Sequence, residues 1–299
     1  MMAGPAMTQT DPVMVSSPDS NVCMTLEIKE KKPVGKRLYY SLRYKDRSIL
    51  LDSPFSLEFE HMPPIAGNLV IKDILQQSIH EDWKRVWGRR TDVLNHCNEM
   101  TLELQETAAP HRRLDFIVRV YNDGVAFRYA LPEQDGVDDF MLVSEQSSFR
   151  FAGNYRCWAA DHGGFATHQE SVFNSMKIND LKTATPYGLP LLIEVPRREF
   201  SLTPHCWVSL TEADLTDWAG MYLTHTGDMN TLVIVLAPGY DDPSVRVRSR
   251  TPRHSPWRVL MIGETPGQFL ETDIIQNLND PCAIEDPSWI TPGKSAWDR

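Results

Sequence analysis

The sequence lacks the features that would place the protein in or across a membrane. No run of residues approaches the roughly 20 apolar positions that a bilayer-spanning helix needs. The first 18 residues are polar and rich in Ser, Thr and Pro, and they contain neither the basic nor the apolar segment of a signal peptide. As written, the sequence therefore predicts a protein with no membrane partner and no export signal, which would remain in the cytoplasm.

Metal-binding and disulfide patterns are also missing. The five cysteines are odd in number and scattered, and no CxxC or Cys/His spacing connects them. This pattern indicates neither a zinc site nor a disulfide framework. Because free cysteine usually packs as a small hydrophobic residue, we expect buried thiols at these positions: Cys23, Cys97, Cys157, Cys206 and Cys282.

Sequence signatures of catalysis are absent as well. The glycines do not bracket a serine as in a nucleophile elbow, neither standard phosphate-binding loop occurs, and none of the nine histidines stands in an HExxH arrangement. The formal net charge of −10 argues against a nucleic-acid partner, whose phosphates the protein would repel. A neutral polyol such as a sugar is compatible with this charge, as are most other ligands.

Short apolar alternations, punctuated by turn residues, make up most of the chain from Val22 onward. A period of two is typical of half-buried strands, and many such strands at short spacing favour an antiparallel sandwich. Helical periodicity is weak, since 21 prolines and 16 glycines interrupt most long windows. We therefore expect a mainly β fold, a large antiparallel β-sandwich. The predicted strands cover 25–29, 38–44, 48–51, 99–107, 114–121, 124–130, 189–196, 205–210, 220–224 and 231–237.

The strongest local signal is a hairpin at Asn122-Asp123-Gly124. Alternating apolar residues flank these three positions on both sides. An Asp-Gly pair can supply the positive φ of a type I′ turn. The sequence therefore predicts that the strands on either side pair through such a turn.

The chain divides into three predicted parts. Residues 1–16 are expected to be a disordered tail, and residues 17–250 the β-sandwich domain. Residues 251–299 carry six prolines and three tryptophans. This composition predicts a loop-rich linker that packs along a neighbouring surface.

Two acids after a predicted strand, Glu212 and Asp214, have two interpretations. At a strand end they would point to the same side, two residues apart, and hard oxygen ligands so placed suit Ca²⁺. At a helix start, Thr211 would be the N-cap and the acids would lie in the first turn. Acids at helix starts are common, so the residues alone favour the second interpretation and leave the first open.

Aromatic side chains are candidates for sugar binding, because flat rings stack on sugar faces. Trp83, Trp87, Trp158 and Trp207 are candidates, with burial in the core as the alternative. The segment from Cys157 to Gly164 groups an aromatic, an acid, an imidazole and two glycines in an apparent loop. We therefore predict Trp158, Asp161 and His162 as substrate-binding residues.

A set of short motifs extends from residue 17 to residue 298, and their order is the specific feature. They are Ser17-Pro18-Asp19, Val86-Trp87-Gly88, Asn98-Glu99-Met100, 121–129, Glu212-Ala213-Asp214-Leu215, Ser255-Pro256-Trp257-Arg258-Val259, 277–281, 286–294 and Trp297-Asp298. Taken in order, these motifs resemble the N-terminal domain of glycoside hydrolase family 97, enzymes of the α-glucosidase and α-galactosidase type.

The resemblance implies a galactose-mutarotase-like β-super-sandwich followed by a catalytic (β/α)₈ barrel. The sequence ends at Arg299, where that barrel would begin, so we expect a fragment without catalytic residues. In the family, a glutamate of the sandwich contributes to a Ca²⁺ shared with the barrel, and the matching residue is Glu212. Asp214 would be structural. One carboxylate cannot hold Ca²⁺, which takes six to eight oxygens, so the ion would need the complete enzyme or a separate barrel chain.

The function implied is the pocket-rim or carbohydrate-binding domain of an α-glycosidase, inactive alone. The complete enzyme would hydrolyse α-linked glucosides or galactosides. The alternatives are a free-standing carbohydrate-binding module, with Trp158 as its aromatic platform, and a scaffold without a ligand. Family members are mostly periplasmic or secreted, in contrast to the missing export signal.

Overall fold

The computed structural model describes residues 11–32, 35–86, 88, 90–197, 204–291, 293–294 and 296. Trp87, Trp297 and residues 1–10 of the predicted tail lie outside them. Twenty-one strands and one short α-helix occur in the described part. The strands are β1 Val13–Ser16, β2 Val22–Lys31, β3 Gly35–Tyr44, β4 Arg47–Pro54, β5 Leu57–Phe59, β6 Met62–Ile65, β7 Leu69–Lys84, β8 Asp92–Glu106, β9 Arg113–Tyr121, β10 Gly124–Leu131, β11 Asp139–Glu145, β12 Ser148–Arg150, β13 Arg156–Asp161, β14 Phe173–Lys177, β15 Tyr187–Pro196, β16 Pro204–Ala213, β17 Met221–His225, β18 Thr231–Leu236, β19 Val247–Arg250, β20 Arg253–His254 and β21 Trp257–Gly263, and the helix is α1 Ile274–Leu278.

These strands form one large antiparallel sheet and two small ones. The large sheet, called the main sheet below, has 13 strands, with the order β12-β18-β17-β15-β16-β21-β10-β9-β8-β7 and β13, β14 and β20 attached at its side. The small sheets have the orders β1-β2-β3-β4 and β19-β11-β5-β6. The predicted mainly β sandwich is confirmed. No helix in the described ranges is long and apolar enough to cross a membrane.

The core lies between the main sheet and the small sheets. Alternation along the strands decides which side chains enter it: Val208 and Leu210 of β16 are fully buried there, whereas Trp207 points to the opposite side. Aromatic rings fill the centre, with Tyr40 of β3 packed 4.9 Å from Phe127 of β10. The side of the main sheet that faces this core is called the inner face below, and the other side the outer face.

The outer face has its own smaller apolar cluster. Ile274 and Leu278 of α1 pack there against Trp257 and Val259 of β21. The segment after β21 therefore covers part of the main sheet. This packing agrees with a loop-rich segment lying along a neighbouring surface, and that surface belongs to the sandwich itself.

The predicted division of the chain is wrong at both ends. Val13–Ser16, placed in the disordered tail, forms β1 and pairs with β2, because Val13 and Val15 are buried in the core. Trp257–Gly263, placed in the linker, forms β21 in the middle of the main sheet. All seven residues of β21 are buried, so the strand shows no polar alternation that would reveal it in the sequence.

The predicted hairpin is confirmed, but its turn type is wrong. Tyr121 and Gly124 are in register at the ends of β9 and β10. Neither Asn122 nor Asp123 has a positive φ, which a type I′ turn requires. The glycine serves packing instead: a Cβ at Gly124 would lie 2.5 Å from the Leu260 carbonyl oxygen.

The cysteines are free, and four of the five are buried. Burial raises the pKa of the Cys97 thiol to about 11 and those of Cys157 and Cys206 to about 12. The prediction of buried thiols is confirmed for these three and for Cys23. It is wrong for Cys282, which is exposed.

Candidate functional site

Glu212 lies in strand β16, one residue before its end. It pairs with Arg258 of β21 on the neighbouring strand. The interpretation of Thr211 as a helix N-cap is therefore wrong, because the backbone at this point belongs to the ladder of the main sheet. By alternation with Val208 and Leu210, Glu212 belongs to the inner face.

Three hydrogen bonds hold the Glu212 carboxylate. Arg258 Nη1 donates to Glu212 Oε2 at 2.8 Å. The Met221 backbone N–H, at the start of β17, donates to Oε1 at 3.0 Å and to Oε2 at 3.2 Å. The side chain of Glu212 is 13% exposed, whereas that of Arg258 is fully buried. The carboxylate is thus fixed at the boundary between the core and the surface.

A second carboxylate, Glu145 of β11, lies behind Arg258 in the core. Arg258 Nε donates to Glu145 Oε1 at 2.9 Å, and Arg258 Nη2 bonds the other oxygen. The Ser147 hydroxyl also donates to Glu145 Oε1, at 2.9 Å, and lies 2.6 Å from the Tyr129 hydroxyl. Glu145, Arg258 and Glu212 form a chain of charges, called the buried triad below, with two acids and one base.

The surroundings shift the pKa values of Glu212 and Arg258. Burial raises the pKa of Glu212, and the opposing effects of Arg258 and the Met221 N–H leave it above its ordinary value. Burial alone would lower the pKa of Arg258, but the two carboxylates outweigh it and raise that pKa. Arg258 therefore remains charged, and Glu212 is the only member of the triad with an exposed edge.

Asp214 does not share the surroundings of Glu212. Its φ is +57°, so the chain leaves the strand direction at this residue. Its carboxylate accepts from Arg128 Nη1 at 3.3 Å, and its N–H donates to Asn279 Oδ1 at 3.0 Å. Arg128 in turn covers the Trp257 ring on the outer face, 4.3 Å from its centroid. The two acids predicted to point to one side are therefore bound to opposite faces of the main sheet.

The described residues contain no cluster of three or more His, Cys, Asp or Glu side chains that could hold a metal ion. Glu212 Oε1 accepts one hydrogen bond, which leaves it able to bind one further group. The residues present thus fit one ligand of a shared cation site. They do not fit a self-contained Ca²⁺ site, which takes six to eight oxygens.

The three predicted substrate-binding residues are near one another in sequence, but their side chains make different contacts. Trp158 lies within β13 on the outer face, with its ring 5.3 Å from that of Trp207. Asp161 ends β13 in register with Tyr187 of the inner core. Its carboxylate accepts from the Gly163 N–H at 2.9 Å and from Lys182 Nζ at 3.3 Å.

His162 follows β13 and packs over the outer face of the next strands. Its Nδ1 lies 3.0 Å from the Ser171 hydroxyl, and its ring meets the ring of Tyr222 edge-on at 6.3 Å. A Cβ at Gly188 would lie 2.0 Å from His162 Nε2, so the glycine makes room for the imidazole. Phe165 also packs on Tyr222, at 5.1 Å. The structure thus groups His162 and Phe165 around Tyr222.

Sequence reasoning did not assign Arg258, Glu145 or Tyr222 to the site. Arg258 gave a usable signal, since a single arginine in the otherwise apolar run of β21 needs a buried partner. Glu145 and Tyr222 gave none, because each joins the site through strand pairing between distant parts of the chain.

Comparison with known proteins identifies the family. The family model for the glycosyl-hydrolase 97 N-terminal domain matches residues 15–281. The retaining alpha-galactosidase of Bacteroides thetaiotaomicron is 26% identical over 95% of this chain and 43% of its own length. A probable retaining alpha-galactosidase of Streptomyces bingchenggensis is 28% identical over 62% of this chain and 26% of its own length.

Solved structures agree with this assignment. A glycoside hydrolase family 97 enzyme from Pseudoalteromonas sp. strain K8, solved in complex with acarbose, superposes with a TM-score of 0.82 and 26% identity. The match covers 94% of this chain and 40% of that one. A variant of the same enzyme was solved with panose. This chain thus spans less than half the length of these relatives, and its match to the family model shows that it belongs to the N-terminal domains of glycoside hydrolase family 97.

Proposed function

We propose that this chain forms one rim of the sugar pocket of an α-glycosidase and hydrolyses nothing by itself. The catalytic groups would come from a (β/α)₈ barrel, corresponding to the part of the relatives' length that this chain does not cover. The barrel could be supplied by the same polypeptide or by a separate chain. The complete enzyme would hydrolyse α-linked galactosides or glucosides. The names of the curated relatives support the former, and the acarbose and panose complexes of the Pseudoalteromonas enzyme support the latter.

The observation that carries the proposal is the way Glu212 is held. Arg258 and the Met221 N–H fix its carboxylate from the protein side, while one edge remains open to the surface. A carboxylate presented in this way can bind a group on the surface of a partner domain without first reorganising. Preorganisation of this kind lowers the cost of binding.

Ca²⁺ is the group we propose for that open edge. Glu212 would supply one oxygen ligand, and the remaining ligands would come from the barrel. When bound, the ion would act as a Lewis acid and polarise a substrate oxygen. Asp214 would contribute no ligand, because its carboxylate is bound to Arg128 on the opposite face of the main sheet.

We further propose Asp161 and His162 as sugar contacts at the same end of the main sheet. His162 packs against Tyr222, whose neighbour Met221 binds Glu212. A sugar that extends from Glu212 around this end of the sheet to its outer face would contact this loop. Trp158 also remains a proposed sugar contact, beside Trp207 on the outer face.

The test is an assay of the purified chain. It is incubated with p-nitrophenyl α-galactoside and with p-nitrophenyl α-glucoside, in the presence of Ca²⁺, beside a Glu212→Gln variant. We expect release of p-nitrophenol at the rate of the buffer control for both proteins. Turnover by the parent chain that the variant lacks would contradict the proposal that the catalytic groups lie elsewhere.

A further inference from the structure

We propose that Trp158 and Trp207 form a carbohydrate-binding platform on the outer face of the main sheet, separate from the rim at Glu212. Its ligand would be a pyranose ring of an α-linked oligosaccharide. The proposal goes beyond the function given above, because it concerns binding away from the site of hydrolysis. It would hold whether or not Glu212 takes part in catalysis.

The two indoles come together across β15. Trp158 of β13 is in register with Leu192 of β15, and Trp207 of β16 is in register with Glu194 two residues further along. The ring centroids are 5.3 Å apart and the ring planes are inclined by 39°. Both side chains are partly exposed. Two large, rigid aromatic surfaces therefore lie side by side and face solvent.

A third aromatic extends this surface. Phe173 of β14 is opposite Ala160, and Ser175 is opposite Trp158, so Phe173 lies diagonally beside Trp158 on the same face. Diagonal neighbours across antiparallel strands are about 7–8 Å apart, within reach of aromatic side chains. Phe173 is exposed. The aromatic surface is thus longer than the indole pair alone and can contact more than one sugar ring.

Polar groups with unused hydrogen-bonding capacity border the platform. Arg156 and Glu194 face each other across β13 and β15, but Arg156 Nε and Glu194 Oε2 are 4.0 Å apart. This distance is too long for a hydrogen bond. The carboxylate can therefore accept from sugar hydroxyls and the guanidinium can donate to them. The Ser175 hydroxyl, exposed beside Trp158, can do either.

This combination matches the chemistry of a pyranose. One face of the ring carries C–H groups that pack on an aromatic surface, and the ring edge carries hydroxyls that need donors and acceptors. A purely apolar partner would leave Arg156 and Glu194 without hydrogen bonds. A neutral sugar satisfies both the rings and the charged pair.

The platform and Glu212 belong to opposite faces of the main sheet. Trp207 and Glu212 are both in β16, but their positions differ by five, an odd number, so their side chains point to different sides. Along the strand the separation is about 16 Å at 3.3 Å per residue. A sugar unit held on the platform cannot therefore contact Glu212 at the same time.

The experiment is a titration of the full chain with maltoheptaose and with panose, followed by calorimetry and by tryptophan fluorescence. Four variants are compared with the parent: Trp158→Ala, Trp207→Ala, Arg156→Ala and Trp289→Ala. Trp289 is the matched control, because it is a tryptophan that is 71% exposed and lies outside the platform. Arg156 is exposed, so its replacement tests the platform without disturbing the core. Urea unfolding of each variant establishes that it is folded.

We expect millimolar binding of maltoheptaose by the parent chain. Trp158→Ala and Trp207→Ala should each weaken it by about tenfold or more, which corresponds to the loss of about 1.4 kcal/mol of ring contact. Arg156→Ala should weaken it by a smaller factor. Trp289→Ala should leave it unchanged. Absence of binding up to about 10 mM sugar, or equal binding by the two platform tryptophan variants and the parent, would overturn the proposal.

Discussion

Arg258 is the residue on which the geometry of the candidate site depends. A guanidinium without solvent contact needs a negative partner, because the uncompensated charge would be costly to bury. Here it has two, Glu145 inside the core and Glu212 at its edge. Glu145 neutralises the cation, so Glu212 is oriented by Arg258 without being required to balance its whole charge. The inner carboxylate thus leaves the outer one available for a ligand.

The unequal roles of the two acids give a prediction for stability. Glu145→Gln would leave Arg258 fully buried with only the partly exposed Glu212 as its counter-charge, and we expect the free energy of unfolding to fall by about 3–5 kcal/mol. Glu212→Gln should cost clearly less, because Arg258 keeps its buried partner. The measurement is urea unfolding at pH 7. Asp242→Asn, which removes the exposed partner of Arg248, is the control and should leave the midpoint unchanged. Equal losses for the two glutamate variants would contradict this account of the triad.

Among individual residues, Glu212 was predicted as a metal ligand only through the family resemblance. The residues alone favoured a helix cap for Thr211, because acids after a threonine are as common there as at strand ends. What decides between the two is the pairing of Glu212 with Arg258, 46 residues later in the chain. Spacing along the sequence carries no information about such a contact. For the same reason Asp214 could not be separated from Glu212 in advance.

Among the elements, the β9–β10 hairpin shows how one glycine serves two neighbours. The Leu260 carbonyl of β21 and the Ile274 side chain of α1 both lie close to Gly124 at the start of β10. A Cβ at this position would clash with the Leu260 backbone as well as with the Ile274 side chain. The glycine thereby lets α1 pack directly on the outer face beside β21.

Gly124→Ala should therefore destabilise the protein. Its Cβ would lie 2.5 Å from the Leu260 oxygen and 2.8 Å from Ile274 Cδ1, and overpacking of this kind costs about 1–3 kcal/mol. Gly164→Ala is the matched control, since no atom lies within 4 Å of its Cβ position and its φ is not positive. Thermal unfolding followed by circular dichroism compares the two variants. A Gly124→Ala protein as stable as the control would contradict this prediction, because it would show that β21 and α1 can move aside without a cost in stability.

How well an element could be predicted depended on how it is buried. Strands with one solvent-exposed face and one buried face, such as β9, were predicted to within a residue or so of their observed bounds. β21 was missed because both of its faces are covered. The whole of β7 was missed for the opposite reason, since few of its 16 residues are buried and the strand is largely polar. In both cases the period of two is hidden, and only pairing with neighbours defines the strand.

The whole molecule is best described by the two faces of its main sheet. The inner face carries the core and, at its edge, the triad that holds Glu212. The outer face carries the α1 cluster, the aromatic platform and the loop around Tyr222. Composition and alternation predicted the sandwich, but the separation of Trp158 from Glu212 depends on which way each strand turns its side chains. That property follows from the register of the folded sheet.

A chimaeric enzyme tests the central claim, that this chain supplies a pocket rim through Glu212. Residues 15–281, the part matched by the family model, would replace the corresponding domain of the Bacteroides thetaiotaomicron alpha-galactosidase, and hydrolysis of p-nitrophenyl α-galactoside would be measured with Ca²⁺ present. We predict an active chimaera whose turnover falls by about 100-fold with Glu212→Gln, as expected for a residue that binds or supports a catalytic metal, and stays near the parent value with Asp214→Asn. A folded Glu212→Gln chimaera as active as its parent would contradict the account.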